Sequence, residues 1–136
     1  MTFVDSSAWY ASVYAGDRHN AAAKQLIKEA VRLITTDHVL VETWLLINSR
    51  FDHRRADAFW GCTSSFPLEV VKVSAADMKK AWTIGQQFSD QTFSIVDRTS
   101  FVVMERLGIN RVISFDDDFV IYRMRPRRDR AFEVLR

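Results

Sequence analysis

Residues 93–116 read FSIVDRTSFVVMERLGINRVISFD, and the fold is decided by the pattern in this stretch. Ser94 is a typical N-cap residue with Asp97 three positions later, and Gly108 stands where a helix would stop. A helix is therefore predicted from the serine to the residue before the glycine. The apolar run Val112–Phe115 then predicts a strand. A helix that leads into a short apolar strand is typical of α/β proteins.

The same alternation of strands and helices continues through the rest of the chain. The other predicted strands are Thr2–Asp5, Leu33–Thr35 and Leu68–Val73. The other predicted helices are Ser7–Tyr14, Asn20–Val31, one capped by Asp37 and running to Arg50, Arg54–Cys62, and one capped by Ser74, with a last segment at Val120–Met124. Strands separated by helices require crossover connections. The predicted fold class is therefore α/β, with a mainly parallel central sheet flanked by helices in an α/β/α arrangement.

Length and composition are those of an ordinary globular protein. Domains run to about 100–200 residues, so residues 1–136 are predicted to form a single domain. Hydrophobic residues make up 48% and charged residues 26% of the chain, which excludes a disordered chain and a membrane bundle. Cys62 is the only cysteine, which excludes a disulfide framework and a cysteine zinc cluster. Because no export signal or spanning segment is visible, we expect a cytoplasmic protein with no membrane partner.

Charge is distributed unevenly along the chain. The net charge is +2, but six arginines and two acids give the arginine-rich C-terminal end, residues 123–136, a charge of +4, and residues 1–122 carry −2. A basic end on a slightly acidic body suits a polyanionic partner if cations offset the acids of the body. The alternative is that this end is a mobile tail.

Four carboxylates are predicted to be buried or nearly buried. Asp5 ends the first predicted strand, Asp116 ends a later strand, Glu42 has mostly apolar helical neighbours, and Asp97 lies in the first turn of the helix that follows Ser94. Sites in parallel sheets form at the carboxyl ends of strands and at adjoining helix starts. Clustered, buried carboxylates repel one another or hold protons, so such a cluster requires cations.

An oxygen-only ligand set favours Mg²⁺, with Mn²⁺ as a substitute, because hard divalent ions prefer carboxylates and keep waters for a phosphate substrate. Such an ion activates water and stabilises the charge that develops during phosphodiester hydrolysis. Each acid also has a structural interpretation. Asp97 would complete a capping box, Asp5 would cap the next helix, and Asp116 would begin a solvated turn. Glu42 is the hardest of the four to explain structurally.

These residues resemble the motifs of PIN-domain ribonucleases, and more closely those of VapC-type toxins from bacterial toxin–antitoxin pairs. The opening Val4–Trp9 is similar to the family's aspartate followed by small hydroxyl residues, and Glu42 stands where the family has a helix glutamate. Residues 93–109 resemble its serine-x-x-aspartate motif and the helix after it. Residues 114–119 resemble its hydroxyl-x-aspartate-x-x-phenylalanine ending. The four motifs occur in order over nearly the whole chain.

The resemblance implies a Mg²⁺-dependent endoribonuclease that is the toxin of a type II toxin–antitoxin pair. It implies cleavage of structured RNA, tRNA or rRNA, with inhibition of translation and growth, a homodimer, and an antitoxin that occupies the acidic groove. Carried over residue by residue, Asp5 and Asp97 would be the principal metal ligands, and Glu42 and Asp116 would complete the catalytic site directly or through water. Hydrolysis by a metal-oriented water would give a 5′-phosphate and a 3′-hydroxyl.

Three details of this assignment stay open. The spacing to the phenylalanine of the last motif selects Asp116, but Asp117 or Asp118 would also be able to act. Ser7 and Ser114 either orient the carboxylates or satisfy local backbone groups. Cations must offset the acidic groove before RNA binds there. The candidates are Arg50, Arg54, Arg55, Arg98 and the C-terminal arginines.

Two alternatives to the nuclease remain at this point. A phosphatase or phosphoacceptor domain would need a second aspartate two positions after Asp5, where this chain has Ser7. A non-catalytic RNA- or antitoxin-binding module of the same fold would use the acids only to receive an arginine-rich peptide. Intact acids at all four motifs favour the enzyme over this module.

Overall fold

A five-stranded sheet forms the centre of the computed structural model, which describes residues 1–124 and 127–136. Its strands are β1 (Thr2–Val4), β2 (Leu33–Thr36), β3 (Leu68–Val71), β4 (Arg111–Ile113) and β5 (Glu133–Leu135). They lie in the order β3-β2-β1-β4-β5, and every neighbouring pair is parallel. The predicted α/β class with a parallel central sheet is therefore confirmed.

Seven helices are found in the described part of the chain, and they flank the sheet. They are α1 (Ser6–Val13), α2 (Asn20–Glu29), α3 (Asp37–Arg50), α4 (His53–Cys62), α5 (Ala75–Gln87), α6 (Ile95–Leu107) and α7 (Asp118–Ile121). The central strands are covered on both faces, and Phe3, Ile34 and Val112 are fully buried. This burial explains why these strands read as short apolar runs rather than as alternating patterns. No helix of the described residues is long and apolar enough to span a membrane.

The α6 helix begins and ends where the sequence predicts. Ser94 is its N-cap, and its hydroxyl accepts a hydrogen bond from the Asp97 N–H at 3.1 Å. Gly108 follows the last turn with φ of 67°, a left-handed conformation that glycine adopts without a Cβ clash. Both ends are therefore encoded by residues within one turn of the boundary.

The prediction that Asp37 caps α3 is wrong by one residue. Thr36 is the N-cap, and its hydroxyl accepts from the Val39 N–H at 3.1 Å. The Asp37 carboxylate accepts instead from the backbone N–H groups of His38 at 2.9 Å and Val73 at 3.0 Å. It is therefore engaged in tying the start of α3 to the segment after β3.

The predicted strand Val112–Phe115 is too long, because β4 ends at Ile113. Ser114 starts a turn in which its hydroxyl accepts from the Asp116 N–H at 3.2 Å. Asp116 therefore lies in the connection to α7 rather than at the end of the strand. It is also exposed, which corrects the prediction that it is buried or nearly so.

The mobile-tail alternative is wrong for the last residues of the arginine-rich end. They form β5, which pairs with β4 through Val134 opposite Val112, and Phe132 is 6% exposed just before it. Arg136 forms an ion pair with Asp117 at 2.9 Å. Of the six arginines, Arg125 lies outside the described residues, as does Pro126.

Candidate active site

Asp5 is fixed at the carboxyl end of the central strand by hydroxyl groups. It follows β1 directly, is 1% exposed, and accepts hydrogen bonds from the hydroxyls of Ser7 at 2.8 Å and Ser114 at 3.0 Å. Burial raises the pKa of Asp5 above its usual range, although these hydrogen bonds offset part of the effect. Asp5 is also the N-cap of α1, because its side chain accepts from the Ser7 N–H. The interpretation of Asp5 as a helix cap is therefore confirmed, and two serine hydroxyls also hold its carboxylate at the carboxyl end of β1.

Glu42 reaches the same site from the middle of α3. Its Oε1 accepts a hydrogen bond from the Ser6 hydroxyl at 2.7 Å, and the same hydroxyl lies 3.4 Å from Asp5 Oδ1. Burial, followed by the charges of Asp5 and Asp116, raises the pKa of Glu42. The sequence analysis does not identify Ser6 as a site residue, although it identifies its neighbours Asp5 and Ser7. The position of Ser6 next to Asp5 was the one sequence feature that pointed to it.

Asp97 is buried at the start of α6 and completes the capping box that begins with Ser94. Its Oδ2 accepts from the Ser94 N–H at 3.1 Å, and the residue is 5% exposed. Burial, a hydrogen bond with Asp118, and the charges of Asp5 and Asp118 raise the pKa of Asp97 from 3.8 to about 8. A carboxyl group in this environment holds a proton at neutral pH unless a cation takes the proton's place.

The three consecutive aspartates point in different directions. Asp116 and Asp118 each place a carboxylate oxygen within 4.8 Å of an oxygen of Asp97. Burial and the charge of Asp118 raise the pKa of Asp116. Asp117 is turned toward the end of β5 and pairs with Arg136. The geometry thus adds Asp118 to the carboxylates that meet at this edge of the sheet, and it leaves Asp117 out.

These groups form what we call the carboxylate cluster. Its members are Asp5, Glu42, Asp97, Asp116 and Asp118. Among the described residues, no arginine, lysine or histidine forms an ion pair with any of the five. The donors are all carboxylate oxygens, which suits a hard divalent cation better than zinc. The cluster is therefore able to hold a divalent metal ion.

The arginines predicted to offset this acidity are placed unequally. Arg50 lies at the cluster, in a cleft that Glu42 and Asp116 also line, with its guanidinium carbon 4.8 Å from the centre of the Tyr10 ring. Arg98 is turned away, since its Nε donates to the Phe93 carbonyl at 2.9 Å.

The two arginines at the start of α4 do not line this cleft. Arg55 forms an ion pair with Asp52, and its guanidinium carbon lies 5.6 Å from the centre of the Phe51 ring. Arg54 is exposed. Of the four named candidates outside the C-terminal end, the structure therefore brings only Arg50 to the cleft, and it adds Arg18, which the sequence analysis does not single out.

Sequence comparison links this chain to known nucleases. The family model for the PIN domain matches residues 2–124. The chain is 39% identical over 120 residues to the 23S rRNA-specific endonuclease VapC20 of Mycobacterium tuberculosis, an alignment that covers 88% of this chain and 92% of that protein. The VapC20 sequences of two strains, CDC 1551 and H37Rv, match equally well.

Structural comparison gives the same relationship. The crystal structure of M. tuberculosis VapC20, described as a sarcin–ricin loop cleaving toxin, superposes with a TM-score of 0.84 and 38% identity, covering 88% of this chain and 93% of that one. FitAcB of Neisseria gonorrhoeae superposes with a TM-score of 0.68 over the whole chain at 10% identity. A toxin–antitoxin complex from Klebsiella pneumoniae gives 0.63 at 11% identity over 89% of this chain. At such low identity, these last two similarities concern the fold alone.

The sequence similarity extends over most of both chains and includes the strands and helices that carry the carboxylate cluster. The chain belongs to the PIN-domain family of metal-dependent nucleases, within which it is an endoribonuclease of the VapC toxin type.

Proposed function

We propose that this protein is the Mg²⁺-dependent toxin of a toxin–antitoxin pair, which cleaves structured RNA and thereby inhibits translation and growth. The observation that carries the proposal is the carboxylate cluster, in which burial and neighbouring charge raise the pKa of Asp97 to about 8. Such a cluster is unfavourable without a cation and favourable with one. Of the two RNA classes considered, tRNA and rRNA, the name of the M. tuberculosis relative supports rRNA.

In this proposal, Asp5 and Asp97 are the principal metal ligands. Asp5 is suited to the role because its hydroxyl partners hold it in one orientation, and Asp97 because its capping hydrogen bonds do the same. Glu42 and Asp116 complete the site directly or through water. Asp118 joins them, because its carboxylate lies with those of Asp97 and Asp116. Mn²⁺ is expected to substitute for Mg²⁺, since both accept oxygen ligands.

The proposed reaction is hydrolysis of one RNA phosphodiester. A divalent ion held by Asp5 and Asp97 would supply Lewis-acid polarisation of the phosphate and would favour deprotonation of the attacking water. Water adds its oxygen to phosphorus, and the bond from phosphorus to the 3′ oxygen breaks, which gives a 5′-phosphate and a 3′-hydroxyl. Ser7 and Ser114 keep Asp5 aligned during this step, and Ser6 does so for Glu42.

The partners proposed are an RNA substrate, an antitoxin and a second copy of the chain, in the cytoplasm. An antitoxin that places a cation in the acidic cleft would neutralise the cluster and exclude RNA. An apolar groove between α3 and α4, with Val41 48%, Leu45 55% and Trp60 46% exposed, supports the homodimer, because exposed patches of large apolar side chains mark interfaces. We also propose that residues 1–136 form a single PIN-like domain, since β5 lies on the same sheet as the strands that the family model covers.

Expression in cells, with sequencing of newly formed RNA 5′ ends, tests this proposal. Growth arrest with a few discrete cleavage sites is expected for the wild type and not for Asp97→Asn. The purified wild type should produce the same ends with Mg²⁺ and none with EDTA. No new ends from folded protein free of antitoxin would overturn the nuclease and favour a non-catalytic binding module.

A further inference from the structure

Beside the carboxylate cluster lies a cleft of about 370 Å³ that is lined by acidic, basic and aromatic side chains. They include the acids Glu42 and Asp116, the arginines Arg18 and Arg50, and an aromatic pair. Ligand pockets in proteins have volumes of about 300–1,000 Å³, so the cleft is large enough for a small group such as a nucleobase. It is continuous with the acids at which cleavage is proposed.

The aromatic pair consists of His19 and Phe115. Their ring centres are 4.4 Å apart and their planes differ by 14°, so the rings are stacked face to face. Both side chains are partly exposed. A stacked pair of this kind presents a flat surface, and RNA-binding proteins use such surfaces to receive unstacked bases.

The chain and hydrogen bonds connect the pair to the carboxylate cluster. Phe115 is bonded to Asp116 in the chain, and its N–H donates to the Ser7 hydroxyl at 3.0 Å, the same hydroxyl that donates to Asp5. On the other side, the His19 N–H donates to an Asp17 carboxylate oxygen at 2.8 Å. The turn that carries Phe115 is therefore joined to the acids, and the ring contact links the His19 loop to that turn.

Charge in the cleft is divided in a way that suits a nucleotide. Arg18 Nε donates to His19 Nε2 at 3.0 Å, which brings a cation to the edge of the stacked rings. Arg50 also lines the cleft, with its guanidinium carbon 4.8 Å from the centre of the Tyr10 ring. Phosphates would be repelled by the acids and attracted by these arginines, whereas an uncharged base would be accepted on the rings.

We propose that this cleft is a nucleotide-binding subsite: His19 and Phe115 stack one unpaired RNA base next to the scissile phosphate, and Arg18 and Arg50 bind the flanking phosphates. The subsite rests on the proposed nuclease function and deepens it, since it makes an unstacked base beside the cleavage point part of what the enzyme recognises. His19 and Phe115 are positioning residues in this scheme.

A fluorescent base analogue tests the stacking directly. The probe is a synthetic RNA hairpin that spans the cleavage site mapped in cells, with 2-aminopurine placed in turn on each side of the scissile phosphate. Bound to the Asp97→Asn protein, the analogue at one of these positions is expected to be quenched. Adding His19→Ala should abolish the quenching, and adding His19→Phe should retain it. His53→Ala, a histidine substitution on α4 outside the cleft, is the matched control and should retain it too.

Cleavage kinetics give a second readout. Because base–aromatic stacking strengthens binding, its loss in His19→Ala should reduce kcat/KM by about five- to 100-fold, chiefly through KM. Removing the base from the RNA at the quenched position should reduce wild-type cleavage by a similar factor. It should not reduce cleavage by His19→Ala any further, because each change removes the same contact.

The arginines are tested by salt dependence. Arg50→Gln should lower the slope of log affinity against log salt by about one, as loss of one phosphate contact does. Arg32→Gln is the matched control, because Arg32 precedes β2 at the opposite end of the parallel sheet and pairs with Glu69.

The outcomes separate this subsite from the nuclease itself. If the wild type cleaves no RNA, the proposed function fails and the subsite with it. If the wild type cleaves but His19→Ala retains its kcat/KM and the quenching, the subsite alone is wrong. The subsite is also wrong if His19→Ala weakens only the complex with the antitoxin, since the cleft would then serve a protein partner.

Discussion

Helices α5 and α6 begin with the same Ser-x-x-Asp capping box, yet their aspartates have opposite electrostatic environments. The N–H of Asp77 donates to the Ser74 hydroxyl and the N–H of Asp97 to the Ser94 hydroxyl, both at 3.1 Å. Both carboxylates accept from the serine N–H in return, and both residues are at most 5% exposed. In local geometry, the two helix starts are nearly interchangeable.

Their long-range partners differ. Asp77 faces Arg106, whose Nε and Nη2 donate to its two oxygens at 3.0 and 2.9 Å. Burial alone would raise the pKa of Asp77, but the hydrogen bonds from Arg106 and Ser74 outweigh it and hold the pKa below its usual range. Asp97 faces Asp5 and Asp118, and its pKa rises to about 8. One motif therefore forms a closed ion pair at α5 and, at α6, part of an acidic cluster that is able to hold a cation.

The largest difference is expected in catalysis. Asp97→Asn should lower RNA cleavage by more than about 100-fold, since even residues behind a metal ligand contribute 10- to 100-fold. Asp77→Asn should leave cleavage nearly unchanged, because its carboxylate is closed by Arg106. Cleavage rates with saturating Mg²⁺, together with circular dichroism to confirm folding, measure both. If both variants fold and lose the same amount of cleavage activity, the two aspartates do not have the different roles described above.

The pH dependence of stability should have opposite signs at the two boxes. Asp97 has a folded-state pKa of about 8 against 3.8, so metal-free folded protein binds more protons than unfolded protein between these values. Its stabilising contribution is present at low pH and is lost as pH rises toward about 8. Thermal melts in EDTA should therefore show a falling Tm across this range, flatter in Asp97→Asn, and Mg²⁺ should reverse the fall. A profile that Asp97→Asn leaves unaltered would contradict this assignment.

Asp77 contributes to the acid side of the same profile. Its pKa is lowered in the folded state, so its contribution is present above the usual carboxyl range and is lost as pH falls through the folded value. In thermal melts, Asp77→Asn should flatten the dependence of Tm on pH at acidic pH. It should not alter the fall in Tm at neutral pH, because that fall comes from Asp97.

Breaking the ion pair at α5 should destabilise the protein without removing its chemistry. Arg106→Gln leaves the Asp77 carboxylate buried without its cation, and we expect a loss of about 1–3 kcal/mol in the free energy of unfolding. Arg111→Gln is the control, since its pair with Glu133 is exposed and should contribute less than about 1 kcal/mol. Urea denaturation of both variants measures the two losses of unfolding free energy. The loss in Arg106→Gln should be the larger, and equal losses would contradict the role of the buried ion pair.

The smallest effect is expected at the two serines. Ser74→Ala and Ser94→Ala should each cost about 1 kcal/mol of stability, because each removes one N-cap acceptor. Only Ser94→Ala should also slow cleavage, by a few-fold, since only its helix start orients a residue of the carboxylate cluster. A cleavage defect in Ser74→Ala of the same size would indicate a general loss of folding instead.

Local signals account for what could be predicted about the fold. Ser94 and Gly108 mark both ends of α6 within one turn, and the buried strands read as apolar runs, so the parallel α/β class followed directly. The sequence does not predict β5, because this strand is a short segment of mixed residues after five arginines. Its strand conformation depends on pairing with β4, a contact that no local pattern encodes.

For the candidate site too, local sequence identifies some residues and only the tertiary structure decides between others. Asp5, Glu42, Asp97 and Asp116 were identified from their positions after strands, in a helix and at a helix start. The sequence selects Asp116 but leaves open whether Asp117 or Asp118 shares its role, because neighbouring residues in a turn have nearly the same sequence context. The direction of Asp117 toward Arg136 and that of Asp118 toward Asp97 arise from the packing of the turn against α6 and β5.

The sequence by itself therefore determined the helix starts, the buried strands and the residues able to carry the chemistry, because each depends on neighbours within about four positions. The tertiary structure alone decided which charges meet. Asp77 and Asp97 share the Ser-x-x-Asp capping pattern, and the protein gives one an arginine and the other two more carboxylates. Electrostatic energy depends on the separation of groups in space, and that separation is set where distant parts of the chain converge at the edge of the sheet.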